Sequence, residues 1–83
     1  MNRILYFTAS WCGPCKMMAS TVTEAMSGGI NITKIDVDED QDMSIKYNVR
    51  SVPTMVLVNQ NNEEVNRVVG LQTLTALKDF YNG

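Results

Sequence analysis

The sequence predicts an α/β fold in the order βαβαββα, with a four-stranded mixed sheet flanked by three helices. Three features indicate this fold. A short apolar strand is followed by a long stretch with helical periodicity, and a second strand and a shorter helix repeat that alternation. Two further strands are separated by an asparagine-rich turn. Parallel strands need a crossover such as a helix, whereas a tight turn joins antiparallel strands, so the predicted sheet is mixed.

The first half of the chain supplies a βαβ unit with the usual right-handed crossover. Ile4–Thr8 is apolar and partly aromatic, which is typical of a central strand buried on both faces. Pro14 fits the first turn of the following helix, because its missing N–H would have no partner there. Gly28-Gly29 ends that helix, and residues 30–37 contain the second strand, with Lys34 inside it. The expected core face of the helix consists of Met18, Val22, Ala25 and Met26.

The second half of the chain supplies a short helix, a β-hairpin and a last helix. The hairpin strands are residues 55–58 and 65–69, on either side of the asparagine-rich turn. Gly70 ends the second of these strands, and Thr73 or Thr75 can cap the last helix. Its expected inward-facing residues are Leu74, Leu77 and either Phe80 or Tyr81.

Length and charge limit the possible functions. With 83 residues, the chain is expected to form a single domain over residues 1–83. The net charge of −2 argues against sequence-independent nucleic-acid binding, and no apolar run is long enough to span a bilayer. The apolar run near the N-terminus is too short for a signal peptide. We therefore expect a cytoplasmic monomer without nucleic-acid or membrane partners, in which a cysteine pair is catalytic or metal-binding.

Both cysteines lie in the segment 11–16, Trp-Cys-Gly-Pro-Cys-Lys, where the first strand meets the first helix. A Cys-x-x-Cys pair at such a junction is typical of a redox-active dithiol. Cys12 precedes the helix, where backbone N–H groups and the helix dipole favour a thiolate, so it is the candidate nucleophile. Cys15 lies one turn further in, close enough for a reversible Cys12–Cys15 disulfide, and is the candidate resolving cysteine.

These residues give the chain a resemblance to the thioredoxin family. Residues 11–17 resemble that family's active-site run, residues 46–54 the segment leading to its cis-proline, and residues 69–70 the glycine that lines its substrate groove. The resemblance implies a thiol–disulfide oxidoreductase that reduces disulfide-containing proteins and is itself reduced by a thioredoxin-reductase-type flavoprotein. It implies no bound cofactor and no metal beside the redox-active disulfide.

The resemblance also assigns roles around the cysteines. It implies that the Val52-Pro53 bond is cis and contacts the cysteines, and that the Val52 backbone pairs with an extended substrate. Trp11 would supply an apolar wall and Gly70 close backbone access. Gly13-Pro14 would set a reducing poise, near the value of about −270 mV that thioredoxins have. The implied substrate groove consists of Val52, Pro53, Thr54 and Gly70.

The sequence departs from the family pattern in its size and at Tyr6, and the departure at Tyr6 bears on the mechanism. The sequence starts at the family's central strand, so it resembles a minimal thioredoxin core of glutaredoxin size. The family's buried aspartate corresponds to Tyr6, which is a poor base at neutral pH, and the chain has no histidine. Lys34 matches the lysine that partners that acid, and it either lowers the pKa of Cys15 or extends to solvent. We expect water or the departing Cys12 thiolate to accept the proton of Cys15.

Other functions remain open at this point. A glutaredoxin-like enzyme that uses glutathione is compatible with the short core, although Gly13-Pro14 is not the glutaredoxin-type insert. A scaffold subunit of a larger enzyme, in which redox chemistry is incidental, is a further alternative. A zinc site would need ligands beyond two cysteines. The acidic residues 36–42 lack the glycine and terminal glutamate of a calcium loop, and favour solvation and helix capping by Asp38 or Asp40.

Overall fold

The computed structural model describes residues 2–83, and its elements follow the predicted order βαβαββα. The strands are β1 (Arg3–Thr8), β2 (Ile32–Asp36), β3 (Thr54–Val58) and β4 (Glu64–Val69). The helices are α1 (Gly13–Ser27), α2 (Gln41–Lys46) and α3 (Leu74–Asn82). The strands form one sheet in the order β2-β1-β3-β4, in which β1 is parallel to β2 and the other neighbours are antiparallel. The predicted fold class is therefore confirmed.

Strand β1 lies in the interior of the sheet, and its residues from Ile4 to Thr8 are all buried. Tyr6 belongs to the hydrophobic layer formed with α1 and α3, whereas Phe7 belongs to the layer on the opposite face. The alternation follows from the pleat, which directs successive side chains to opposite faces. Because both faces are covered, an apolar strand is required here, and burial of each large side chain contributes about 1.5–3 kcal/mol.

Helix α1 presents Met18, Val22 and Ala25 to the core, as predicted, but Met26 is 49% exposed. The prediction that Met26 faces the core was wrong. Successive helical residues are rotated by about 100°, so Met26 lies well away from Ala25 around the helix axis. Ala25 takes the buried position in the last turn, and Met26 lines an open cavity between α1 and the β2 edge of the sheet.

The starts of the helices are fixed by the side chains of their caps. Cys12 is the N-cap of α1, Asp40 accepts a hydrogen bond from the Met43 N–H of α2, and Thr73 accepts one from the Ala76 N–H of α3. Of the two acids proposed as a cap for α2, Asp40 therefore has that role. Asp38 has a different partner, described with the site below.

Arg67 joins β4 to the end of α2. Its guanidinium donates to the Tyr47 carbonyl oxygen and forms an ion pair with Glu64 at 2.7 Å. The hydrogen bond from Arg67 holds the pKa of Glu64 below its ordinary value, and the same bond raises the pKa of Arg67. Arg67 therefore anchors β4, the strand that leads to Gly70.

No helix within residues 2–83 combines the length and the apolar character needed to cross a membrane.

Candidate active site

The two cysteines lie at the start of α1, where the sequence predicts them. Cys12 has an extended backbone and is the N-cap, and its Sγ accepts a hydrogen bond from the Cys15 N–H at 3.1 Å. The two residues are joined by a disulfide, with their Cα atoms 5.2 Å apart. Both are buried, with 4% of Cys12 and 3% of Cys15 exposed. The helix N-terminus thus contributes an N–H group directly to the sulfur of Cys12.

A second segment, the loop before β3, faces Cys12. The Cys12 Sγ lies 3.7 Å from the Val52 carbonyl oxygen, and Val52 contacts the small apolar cluster that contains both cysteines. Pro53 is fully buried, and the Val52-Pro53 bond is cis, as the resemblance implied. The Gly70 N–H donates to the Pro53 carbonyl oxygen at 2.9 Å, and Gly70 has a positive φ of 91°. The fold therefore brings Val52, Pro53 and Gly70 together beside Cys12.

Thr54 directly follows Pro53, but its side chain points into the protein. Its side chain is buried, and its hydroxyl donates to the Ser51 carbonyl oxygen at 2.7 Å. Thr54 therefore supports the loop before β3, and its hydroxyl is already occupied by an internal hydrogen bond.

Trp11 borders the disulfide on the surface and is 67% exposed. Its indole Nε1 donates to the Asp38 carboxylate at 2.8 Å, and the Asp38 N–H in turn donates to an Asp36 carboxylate oxygen at 2.9 Å. We did not predict this contact of Asp38 from the sequence. A signal was present, because Trp11 follows β1 and Asp38 follows β2. The carboxyl ends of neighbouring parallel strands meet at one edge of a sheet.

An open cavity of about 430 Å³ lies on the other side of the disulfide, next to Cys15. Tyr6, Lys34 and Asp36 line it together with Cys15. The Tyr6 hydroxyl donates to the Cys15 carbonyl oxygen at 3.3 Å, so it contacts the backbone of the second cysteine. Lys34 is exposed and forms no ion pair with any residue in the range 2–83. Tyr6 and Lys34 are thus both placed on the Cys15 side of the disulfide.

Metal-ligating side chains do not converge anywhere in the described part of the chain, where no group of three or more His, Cys, Asp or Glu residues is placed to hold an ion. The two cysteines are bonded to each other instead.

Comparison with known proteins places this site in a family. The Thioredoxin family model matches residues 2–82. The thioredoxin of Bacillus subtilis (strain 168) is 44% identical over 79 residues, which is 92% of this chain and 75% of that protein. The thioredoxin of Haemophilus influenzae is 39% identical over 82 residues, covering 95% of this chain and 76% of that protein.

Solved structures give the same result. A mutant thioredoxin from Halobacterium salinarum NRC-1 superposes with a TM-score of 0.86 at 43% identity, over 98% of this chain and 72% of that one. The reduced Schistosoma mansoni thioredoxin pre-protein gives a TM-score of 0.88 at 32% identity, over 98% and 76%. The family match, the fold and a Cys-x-x-Cys pair closed as a disulfide agree with one another, and the chain therefore belongs to the thioredoxin family of thiol–disulfide oxidoreductases.

Proposed function

We propose that Cys12 attacks the disulfide of a protein substrate and that Cys15 resolves the mixed disulfide that forms. The observation that supports this order is the hydrogen bond from the Cys15 N–H to the Cys12 Sγ at the start of α1. A backbone N–H and the helix dipole both stabilise negative charge on that sulfur, and the thiolate is the attacking form of a cysteine.

The proposed reaction has two exchange steps. The Cys12 thiolate forms a bond to one substrate sulfur, and the other substrate sulfur leaves as a thiolate. The Cys15 thiolate then attacks the Cys12 Sγ, closing the Cys12–Cys15 disulfide and releasing the second substrate thiolate. Two electrons pass from the protein to the substrate, and no bound cofactor takes part.

Exposure does not distinguish the attacking cysteine from the resolving one, because both cysteines are almost completely buried. Their surroundings do differ. Cys12 lies against the Val52 carbonyl oxygen, next to the surface that holds Trp11. Cys15 lies within the first turn of α1 and borders the cavity on the opposite side. A substrate that approaches from the Trp11 side meets Cys12 first.

The loop before β3 is the proposed substrate groove. An extended substrate segment pairs with the backbone of Val52, as in strand addition, and brings its disulfide over Cys12. Pro53 and Thr54 form the floor of the groove, and Gly70 holds the Pro53 carbonyl in place. The segments beside the groove carry exposed apolar side chains, and aromatic residues and methionine are enriched where proteins contact one another. These side chains are Trp11, Met17, Val69 and Leu71.

Gly13-Pro14 and Lys34 are proposed to tune the site. Gly13 and Pro14 occupy the first turn of α1 between the two cysteines, and an added Cβ at Gly13 would meet no atom within 4 Å. Their effect is therefore on the backbone that sets the balance between dithiol and disulfide. Lys34 acts through its positive charge on the Cys15 side of the disulfide.

We further propose that the chain acts as a single-domain monomer in the cytoplasm, re-reduced by a thioredoxin-reductase-type flavoprotein. The family match over residues 2–82 supports the reductase, since it is the partner that the family resemblance implies. A pair that works as a reductant needs a compartment that keeps returning it to the dithiol, and the cytoplasm has that property.

Insulin reduction with two recycling systems tests this proposal. We expect NADPH with thioredoxin reductase to sustain turnover, and NADPH with glutathione and glutathione reductase to give little. Cys12→Ser should abolish turnover, whereas Cys15→Ser should form a stable mixed disulfide visible by mass spectrometry. Preferential recycling by glutathione would identify a glutaredoxin-like enzyme. Full biological activity of the Cys12→Ser, Cys15→Ser double variant would identify a scaffold subunit.

A further inference from the structure

The resolving step needs a group that takes the proton of the Cys15 thiol, because only the thiolate attacks a disulfide. The hydroxyl of Tyr6 is engaged with the Cys15 carbonyl oxygen. The ammonium of Lys34 has three donor hydrogens and no lone pair to accept a proton. Neither side chain is therefore suited to act as the base.

The register of the sheet brings one further titratable side chain to this place. Strand β2 is parallel to β1, with Lys34 opposite Tyr6 and Asp36 opposite Thr8. Residues two apart in a strand project from the same face, so Asp36 lies on the face of Tyr6, which is the face that α1 covers. Asp36 and Cys15 accordingly line the same cavity.

The carboxylate of Asp36 has a free acceptor position. One oxygen accepts the Asp38 N–H at 2.9 Å. The other oxygen makes no hydrogen bond to any residue in the range 2–83, and Asp36 is only half-buried. The cavity volume of about 430 Å³ leaves room for several water molecules, each of which takes about 30 Å³ in the liquid.

We propose that Asp36 accepts the proton of Cys15, through water in this cavity, during resolution of the mixed disulfide. This inference rests on the proposed function, in which Cys15 is the resolving cysteine. The Cys15 S–H bond breaks and the proton passes through water to the free oxygen of Asp36. The resulting thiolate bonds to the Cys12 Sγ, and the substrate sulfur leaves with the electron pair of the broken S–S bond. Asp36 then returns its proton to solvent through the open side of the cavity.

The other titratable groups on this cavity favour loss of the proton from Cys15. Lys16 comes from α1, Lys34 from β2 and Tyr6 from β1. The two lysines place positive charge on the cavity wall, which stabilises the thiolate that forms at Cys15. Among the described residues that line this cavity, Asp36 is the one that carries a carboxylate.

Asp36→Asn tests the proposal, because the amide keeps an oxygen for the Asp38 N–H but removes the base. Reduced protein is mixed with a disulfide-bonded substrate, and formation and decay of the mixed disulfide are followed by acid quench and mass spectrometry. We expect its decay near pH 7 to slow by about 10²-fold, while its formation keeps the wild-type rate. Added imidazole should accelerate decay in Asp36→Asn and leave the wild type unchanged, which a merely structural role would not produce.

Asp42→Asn is the matched control, since it removes an exposed carboxylate in the first turn of α2. It should resolve at the wild-type rate. Asp36→Glu, which keeps a carboxylate, should retain most of the rate and carries the test if Asp36→Asn does not fold. Wild-type decay in Asp36→Asn, an equal slowing in Asp42→Asn, or an equal loss in Asp36→Glu would overturn the proposal. Failure of the wild type to form any mixed disulfide would instead contradict the proposed function.

Discussion

The two sulfurs of the disulfide have surroundings of different construction. On the Cys12 side, the close polar groups belong to the backbone, namely the Cys15 N–H and the Val52 carbonyl oxygen. On the Cys15 side, the residues that line the cavity include several with polar side chains, among them Tyr6, Lys34 and Asp36. The contact of Tyr6 goes to the carbonyl oxygen of Cys15, so the cavity side also holds the first turn of α1 in place.

Because of this difference, a single substitution should affect the two steps of the proposed reaction unequally. Backbone groups stay in position when side chains are replaced, so the proposed stabilisation of the Cys12 thiolate depends on the fold as a whole. Side chains can be replaced singly, so proton transfer from Cys15 can be carried by different residues. Tyr6 at the position of the family's buried acid is a replacement of this kind, and the proposed role of Asp36 on the same cavity compensates for it.

The largest expected effect is on stability, and it should differ between the aromatic residue on the Cys15 side and the one on the Cys12 side. Tyr6 is 2% exposed and Trp11 is 67% exposed. We expect Tyr6→Ala to lower the free energy of unfolding by about 3–5 kcal/mol, because it leaves a cavity in the core. Trp11→Ala should lower it by no more than about 1.5 kcal/mol, because it removes an exposed side chain and one hydrogen bond to Asp38. Urea denaturation of the oxidised protein measures both.

Tyr6→Phe is the control for this pair, since it removes only the hydrogen bond to the Cys15 carbonyl and should cost about 1 kcal/mol. Equal losses of stability for Tyr6→Ala and Trp11→Ala would contradict the distinction between a buried aromatic residue on the Cys15 side and an exposed one on the Cys12 side.

A smaller effect is expected from the contact that orients Trp11. Asp38→Ala removes the acceptor for the indole N–H, a bond that contributes about 0.5–1.5 kcal/mol. We therefore expect kcat/KM for insulin to fall by about 2- to 10-fold. A small aromatic disulfide, which does not need an extended apolar wall, should react at the wild-type rate.

Asp38→Asn keeps an oxygen acceptor and should lose less than Asp38→Ala. A decrease in Asp38→Ala that is as large for the small disulfide as for insulin would show that Asp38 acts on Cys12 and not through Trp11.

The smallest effect is expected away from both sulfurs, at the ion pair of Glu64 and Arg67. Glu64→Gln should lower the free energy of unfolding at pH 7 by about 0.2–1 kcal/mol, as is typical of partly exposed pairs. The Arg67 hydrogen bond lowers the pKa of Glu64 in the folded state below its ordinary value of 4.5, which we take for the unfolded chain. The stabilisation is therefore complete above that unfolded pKa and is lost as the pH falls through the folded pKa.

Denaturation curves of wild type and Glu64→Gln should accordingly converge at strongly acid pH, with mixed-disulfide kinetics unchanged at pH 7. A difference that grows on acidification, or altered kinetics, would show that this pair is coupled to the site.

Much of the architecture was predictable because its signals are local. The apolar strand β1, the proline and glycines that bound α1, and the asparagine-rich turn each specify their element from adjacent residues. The cysteine pair at the start of α1 was predictable for the same reason, since its spacing and its position before a helix lie within one segment. Met26 was mispredicted because helical spacing alone does not say how far the neighbouring elements extend over the helix.

Local sequence specifies the order of the elements, the cysteine pair at the start of α1 and the chemistry available to Cys12, because each depends on residues that are neighbours in the chain. The partner of Trp11 and the residues that line the cavity beside Cys15 depend on the three-dimensional arrangement of the strands. Asp36 ends β2 and Asp38 follows it, and both reach the site because β2 pairs in parallel with β1 in one particular register. A shift of that register by one residue would turn Asp36 to the opposite face of the sheet. Long-range pairing of this kind is set by the packing of both faces of the sheet, which no short segment of the sequence contains.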